Sequence, residues 1–306
     1  MGQAIGAKIE TLILRARLLA GVREFFQRAD YLEVETPLRV PAPAPEAHID
    51  PLASESWYLQ TSPELCMKRL LAAGYSRIYQ ICKCFRRAER GSRHLPEFTM
   101  LEWYTAGDDY QALMDQTEAL LRFAAQWAGL GDGVQYQGRR LNLGQVPWPR
   151  MTVAEAFARW SPQPLAEALA QDRFDEIVTL EIEPHLGVPT PLFLFDYPLT
   201  CGALARRKPS DGELAERFEL YWAGVELCNG FSELVDAGEQ RRRFERELAH
   251  RRRRNAEIWP LPERFLEDLT RMPAAAGNAL GLDRLMMIWA DASTIDEVVV
   301  FTPETL

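Results

Sequence analysis

Apolar residues recur at helical spacing between Lys8 and Arg28, at Ile9, Leu12, Ile13, Ala16, Leu19, Ala20 and Phe26, which predicts a long amphipathic helix. The pattern then shortens. Tyr31–Val34 predicts a strand that stops at Thr36-Pro37, where proline removes a ladder donor. PAPAPEA, from Pro41 to Ala47, predicts a stiff connector of polyproline character. In TSPELCMKRLLAAG, Ser62 is placed as an N-cap, Pro63 as the first helical residue and Gly74 as the stop. Ile78–Cys84 and the stretch ending at Tyr104 predict two strands joined by a charged loop, and Tyr110–Leu130 predicts a second amphipathic helix.

Further along, residues 131–148 predict an irregular hairpin, and 151–171 with 172–186 predict short helices interrupted by proline. Pro191–Tyr197 reads as a buried strand, and Ala215–Trp222 and Val225–Leu234 as strands around a turn at Ala223-Gly224. Glu239–Ala256 predicts a very basic helix and Arg264–Arg271 a shorter one.

Composition adds limits rather than identity. The 306 residues, 47% hydrophobic and 26% charged, are those of an ordinary globular protein with room for a substantial core. Five cysteines, an odd number without a CxxC pair, fit a reduced cytosolic protein better than a disulfide or zinc scaffold. The N-terminus lacks the features of a signal peptide and no apolar run reaches membrane-spanning length, so the expected location is the cytoplasm, with no membrane partner. A net charge of −9 argues against broad nucleic-acid binding while leaving room for a local basic patch.

One segment changes this picture. FRRAERGSRHLPEFTMLEWY, Phe85 to Tyr104, gathers Arg86, Arg87, Arg90, Arg93 and His94 before an apolar strand that carries Glu97 and Glu102. Arginine at a strand end offers planar donors suited to phosphate oxygens. Phe98 offers a flat face to a base, and Glu102 in an apolar strand is costly to bury unless it meets a cation. A surface hairpin with a solvated charge cluster is the plainer reading. The order of residues instead resembles motif 2 of the class II aminoacyl-tRNA synthetases, and within them the lysine branch, without a gap from Phe85 to Tyr104.

Other segments extend the resemblance over nearly the whole chain. YLEVETP is similar to motif 1, Thr61–Glu64 to the APE segment of the lysine enzymes, Glu216–Asp236 to their lysine-specific stretch, and Gly277–Ile288 to motif 3 with its GxDR. The resemblance implies an α/β fold of the α+β kind: a single class II catalytic domain over residues 1–306, an antiparallel sheet flanked by helices, dimeric through motif 1. It also implies roles. Arg86 would hold the α-phosphate of ATP, Phe98 and Arg284 would sandwich the adenine, and Arg284 with His94 or Arg93 would neutralise the β,γ-phosphates. Glu219 and Glu226 would hold Mg²⁺. Glu64 would take the backbone-side amine and Glu102 with Glu233 the side-chain ammonium. Tyr104 and Asn229 would shape the slot, and Phe231 would pack on the aliphatic stem.

Three departures bear on substrate. Ala88 stands where motif 2 carries glutamate, with Glu89 beside it; Ser62 replaces the alanine of APE; and Ala279 replaces a glycine, adding a methyl to the pocket floor. Motif 1 also begins near Tyr31, which leaves no space before it for an anticodon-binding OB-fold. Together these resemble the elongation factor P–(R)-β-lysine ligases, implying elongation factor P rather than tRNA as acceptor. A lysyl-tRNA synthetase-like enzyme activating α-lysine for another acceptor, and a non-catalytic regulator, stand as alternatives. The basic run Arg241–Arg254 is either a solvated face or a surface that steers an acidic partner.

Overall fold

The computed structural model describes residues 8–202 and 204–306. Eight strands form one sheet: β1 Leu32–Glu33, β2 Arg77–Phe85, β3 Glu97–Ala106, β4 Arg150–Thr152, β5 Leu192–Pro198, β6 Leu214–Trp222, β7 Val225–Ser232 and β8 Ala275–Gly281. Their spatial order is β1-β2-β3-β8-β7-β6-β5-β4. The six central strands are mutually antiparallel, and only the short edge strands β1 and β4 pair in parallel. This is the expected antiparallel sheet flanked by helices.

The two faces of the sheet differ, and period-two alternation sets the difference. Leu101 and Trp103 of β3, Leu220 and Trp222 of β6, Cys228 and Leu280 point to one face. There they pack against α1 (Ile9–Arg28), α3 (Tyr110–Ala128) and α6 (Leu282–Trp289) in the main core. The intervening residues Glu102, Tyr104, Glu219 and Phe231 face the other side. α2 (Glu64–Ala72), α4 (Ala237–Arg253) and α5 (Glu263–Leu269) cover part of that second face through Met67, Leu71, Phe244 and Phe265.

Local chemistry explains the element ends. Asp109 caps α3 by accepting from the Gln111 and Ala112 N–H groups, and Gly129 ends it in the left-handed region at φ 85°. The capping of α2 differs from the sequence expectation. Pro63 occupies the cap position, while the Ser62 hydroxyl accepts from the Glu64 N–H at 3.0 Å and donates to Glu102 Oε1 at 2.6 Å. The basic helix begins two residues earlier than expected, because Asp236 caps it by accepting from the Glu239 N–H.

Candidate active site

Register places the site chemistry in rows. Across five strands, Glu219 pairs with Asn229, Asn229 with Ala279, Ala279 with Glu102 and Glu102 with Gln80. A second row runs Arg217, Phe231, Gly277 and Tyr104. Residues directly opposite share a face, so nine positions, many far apart in sequence, meet on one surface.

Glu226 joins that surface only through a bulge. Leu220 pairs with Cys228, but the next pair is Tyr221 with Glu226, so β7 carries one extra residue, Leu227. In an unbroken ladder Glu226 would lie on the face of Cys228, inside the core. The bulge turns it to the face of Glu219.

A cavity of about 340 Å³ opens on this face, and Arg86, Arg93, His94, Phe98, Glu219, Glu226, Asn229, Ala279 and Arg284 all line it. The Arg86 guanidinium carbon lies 5.1 Å from the centre of the Phe98 ring. Its Nε has no hydrogen-bond partner among the described residues, which leaves a buried donor for a ligand oxygen. Ala88 turns the loop with φ 64°, and Glu89 beside it faces Arg86 at 3.7 Å, so a carboxylate reaches the cavity despite Ala88. Arg284 donates to Glu226 Oε2 at 3.1 Å and to His94 Nε2 at 2.6 Å. Arg93 donates to the Gly224 carbonyl. Asp283, beside Arg284, binds the Thr99 N–H and Arg15, and so ties α6 to β3 and α1.

The expected cation site has hard oxygen donors with a dense negative setting. Glu219 accepts from Tyr197, Tyr221 and Arg217 at 2.5–2.6 Å. Burial raises its carboxyl, with Arg217 opposing and Glu226 adding to the rise. Glu183, which the sequence did not single out, is pushed up to about 7 by burial and then by Glu226 and Glu219. Glu226 thus adds to the rise of both Glu183 and Glu219, a negative setting that a cation would relieve.

Behind Ala279 the surroundings change from open to buried. Glu102 is fully buried, bonded by Ser62 and by the Tyr104 hydroxyl at 2.7 Å, and burial with the charge of Glu64 pushes it up to about 7. Burial carries Glu233 up to about 8 although Lys68 opposes the shift. Gly277 makes this packing possible, since a Cβ there would sit 2.3 Å from the Tyr104 ring and 2.5 Å from Glu233 Oε1.

Lys68 is the resident cation that sequence reading missed. It is 1% exposed, lies 2.5 Å from both Glu64 Oε1 and Glu233 Oε2, and sits 5.0 Å from the centre of the Phe231 ring. Burial opposes its charge, yet Glu233 and Glu64 together hold it above the usual lysine value. Three carboxyls thus meet a single ammonium, and the raised carboxyls of Glu102 and Glu233 take up full charge only above neutral pH or when a cation arrives. Its one sequence signal was its place four residues after Glu64.

The basic run divides. Arg251 is 1% exposed and holds the carbonyls of Glu46, Ala47, Ile49 and Glu257, the Asp50 carboxylate and the face of Trp259. It is neither solvated nor available to a partner. Arg252, Arg253 and Arg254 are exposed.

The profile of the class II tRNA synthetases (D, K and N) matches residues 7–305. The chain belongs to this family. Among curated relatives, the elongation factor P–(R)-β-lysine ligase of Klebsiella pneumoniae (strain 342) is 37% identical over 313 residues, spanning 97% of this chain and 96% of that protein. The protein of the same name from Salmonella heidelberg (strain SL476) is 36% identical over the same span. The eight-stranded sheet with its flanking helices is thus the fold of a class II tRNA synthetase domain. No helix among the described residues is long and apolar enough to cross a membrane.

Proposed function

We propose that this chain is an ATP-dependent ligase that activates (R)-β-lysine as an aminoacyl-adenylate and transfers it to a lysine side chain of elongation factor P. The observation that carries the reading is the junction at Ala279. There an open, arginine-lined cavity meets three carboxyls, Glu64, Glu102 and Glu233, with a single ammonium, Lys68, among them. Such a junction suits a triphosphate on one side and a diamino acid on the other. The names and near full-length match of the relatives support the same substrates.

In the first step the amino-acid carboxylate attacks the α-phosphorus of ATP and pyrophosphate leaves. Arg86 meets the charge that builds on the α-phosphate, and preorganised donors in a half-closed cavity are worth more than in water. Phe98 stacks on the adenine, and Arg284, with His94 and Arg93, faces the β,γ-phosphates. Glu219 and Glu226 would hold Mg²⁺, which would offset phosphate charge. Glu102 and Glu233 take the distal ammonium, Tyr104 fixes Glu102, and Asn229 orients the carboxylate end. Glu64, already shared with Lys68, binds the proximal amine beside Ser62. In the second step an amine of the protein acceptor attacks the acyl carbon and AMP leaves.

We place the enzyme in the cytoplasm as a single-domain homodimer. Ile9 and Ile13 of α1 and Leu32 of β1 are exposed apolar residues on the motif 1 segment, a surface suited to a partner subunit. The test is incubation with ATP, (R)-β-lysine and elongation factor P, read by intact mass. Addition of one β-lysyl group is expected. A clear preference for α-lysine in ATP–pyrophosphate exchange would sink the β-lysine assignment, and a lack of any exchange would favour a non-catalytic regulator.

A further inference from the structure

The two-step reaction needs a proton acceptor, because a lysine side chain enters as an ammonium and only its free amine attacks. The cavity has five carboxylates in its wall: Glu46, Glu89, Glu219, Glu226 and Asp283. Four are engaged by arginine. Glu89 faces Arg86, Glu219 binds Arg217, Glu226 binds Arg284, and Asp283 binds Arg15. Glu46 alone is held by no ion pair or side-chain hydrogen bond among the described residues, and it is part-buried in the cavity wall.

Its position is fixed through the backbone. Arg251 binds the carbonyls of Glu46, Ala47 and Ile49, and Ala47 N–H donates to Glu247 Oε2 at 2.9 Å. The connector is thereby stapled to α4, with Glu46 in the wall of the cavity that Arg86 and Arg217 also line. The charged groups that face it are Arg86 from the hairpin, Arg217 from β6, Glu64 from α2 and Glu247 from α4.

We propose that Glu46 is the general base of the transfer step, an assignment that rests on the two-step reading above. Its carboxylate accepts one proton from the acceptor ammonium. The freed lone pair forms the N–C bond to the acyl carbon, and the C–O bond to phosphate breaks with its electron pair leaving on AMP. The second surplus proton of the new amide nitrogen departs on the AMP phosphate. Burial, eased by Arg86 and reinforced by Glu64 and Glu247, pushes the Glu46 carboxyl up to about 7, where at neutral pH a large share is ionised and able to take a proton.

The test compares wild type, Glu46→Gln and Glu46→Asp in ATP–pyrophosphate exchange and in single-turnover transfer from preformed adenylate to elongation factor P, across about pH 6 to 9. Transfer by Glu46→Gln is expected to fall about 100-fold more than exchange, and to lose the rise near neutrality that wild type shows. Glu46→Asp keeps that rise at reduced rate. Exchange that falls in step with transfer would mean that Glu46 supports the fold or binds the amino acid, and overturns the assignment. Transfer by Glu46→Gln within about twofold of wild type overturns it as well. Wild type that exchanges pyrophosphate yet never modifies elongation factor P removes the acceptor reading itself, and the base with it.

Discussion

Each end of the groove gathers three carboxylates, and the two ends neutralise them differently. Glu219 and Glu226 meet arginines and tyrosine hydroxyls at the wall of an open cavity, and Glu183 accepts from the Tyr221 hydroxyl that also binds Glu219. Glu64, Glu102 and Glu233 lie behind Ala279 with one internal ammonium, Lys68. At the open end the guanidiniums that hold the carboxylates also face the space where phosphates fit, so partners can be exchanged as a ligand arrives. At the buried end there is no solvent to exchange with. Charge must be balanced within the protein or supplied by the substrate.

The largest expected effect tests that contrast. Lys68→Met leaves the buried Glu233 and the part-buried Glu64 without their cation, a loss of about 3–5 kcal/mol of stability. Urea unfolding reads it, and an unchanged midpoint would erase the distinction between the two ends. Arg86→Ala, at the open end, is expected to lower pyrophosphate exchange by about 10²- to 10³-fold with little change in the unfolding midpoint. A matching fall in stability would show that the open end is structural too.

Titration separates the ends more finely. Glu102 and Glu233 have folded-state values of about 7 and 8, above the ordinary 4.5. Raised carboxyls hold protons that the unfolded chain has released, so their contribution to stability is present below 4.5 and lost as pH rises through 7 and 8. A diammonium ligand binds the ionised forms, so its affinity climbs over the same window. The thermal shift given by (R)-β-lysine is therefore expected to be larger at about pH 8 than at about pH 6. A smaller shift at the higher pH would contradict it.

Ala279→Gly removes one methyl at the junction and is expected to move the ratio of exchange rates toward α-lysine by about tenfold. An unchanged ratio would show that the floor does not read the isomer. Smallest of all, replacing Arg252, Arg253 and Arg254 with glutamine should slow encounter with acidic elongation factor P severalfold at low salt and not at high salt. Arg251 is left intact in that variant because its guanidinium is structural.

Much of this was legible because periodicity and motif coincide. The 3.6-residue repeat of α1 and the alternation of Phe98, Met100, Glu102 and Tyr104 each foretell a face, and the sheet then aligns them. What escaped were residues whose meaning depends on distant partners. Lys68 reads as the second half of an ordinary helical ion pair until Glu233 closes over it. Arg251 reads as one more charge in a basic run until the 46–50 connector supplies its carbonyls. Glu183 lies in a stretch read only as a short helix, with no motif to mark its chemistry, and Glu46 lies within a proline-rich connector.

Glu226 reaches the cleft because one residue, Leu227, is surplus to the ladder. That dependence is on a count and not on a side chain. Every substitution at 227 preserves the count, so a complete mutational scan of that position would pass over it. Loss of the residue, or gain of another beside it, would rotate Glu226 into the core while leaving every catalytic residue in the sequence. Related chains that keep all the motif residues but differ by one in this turn should therefore be read as altered at the cleft.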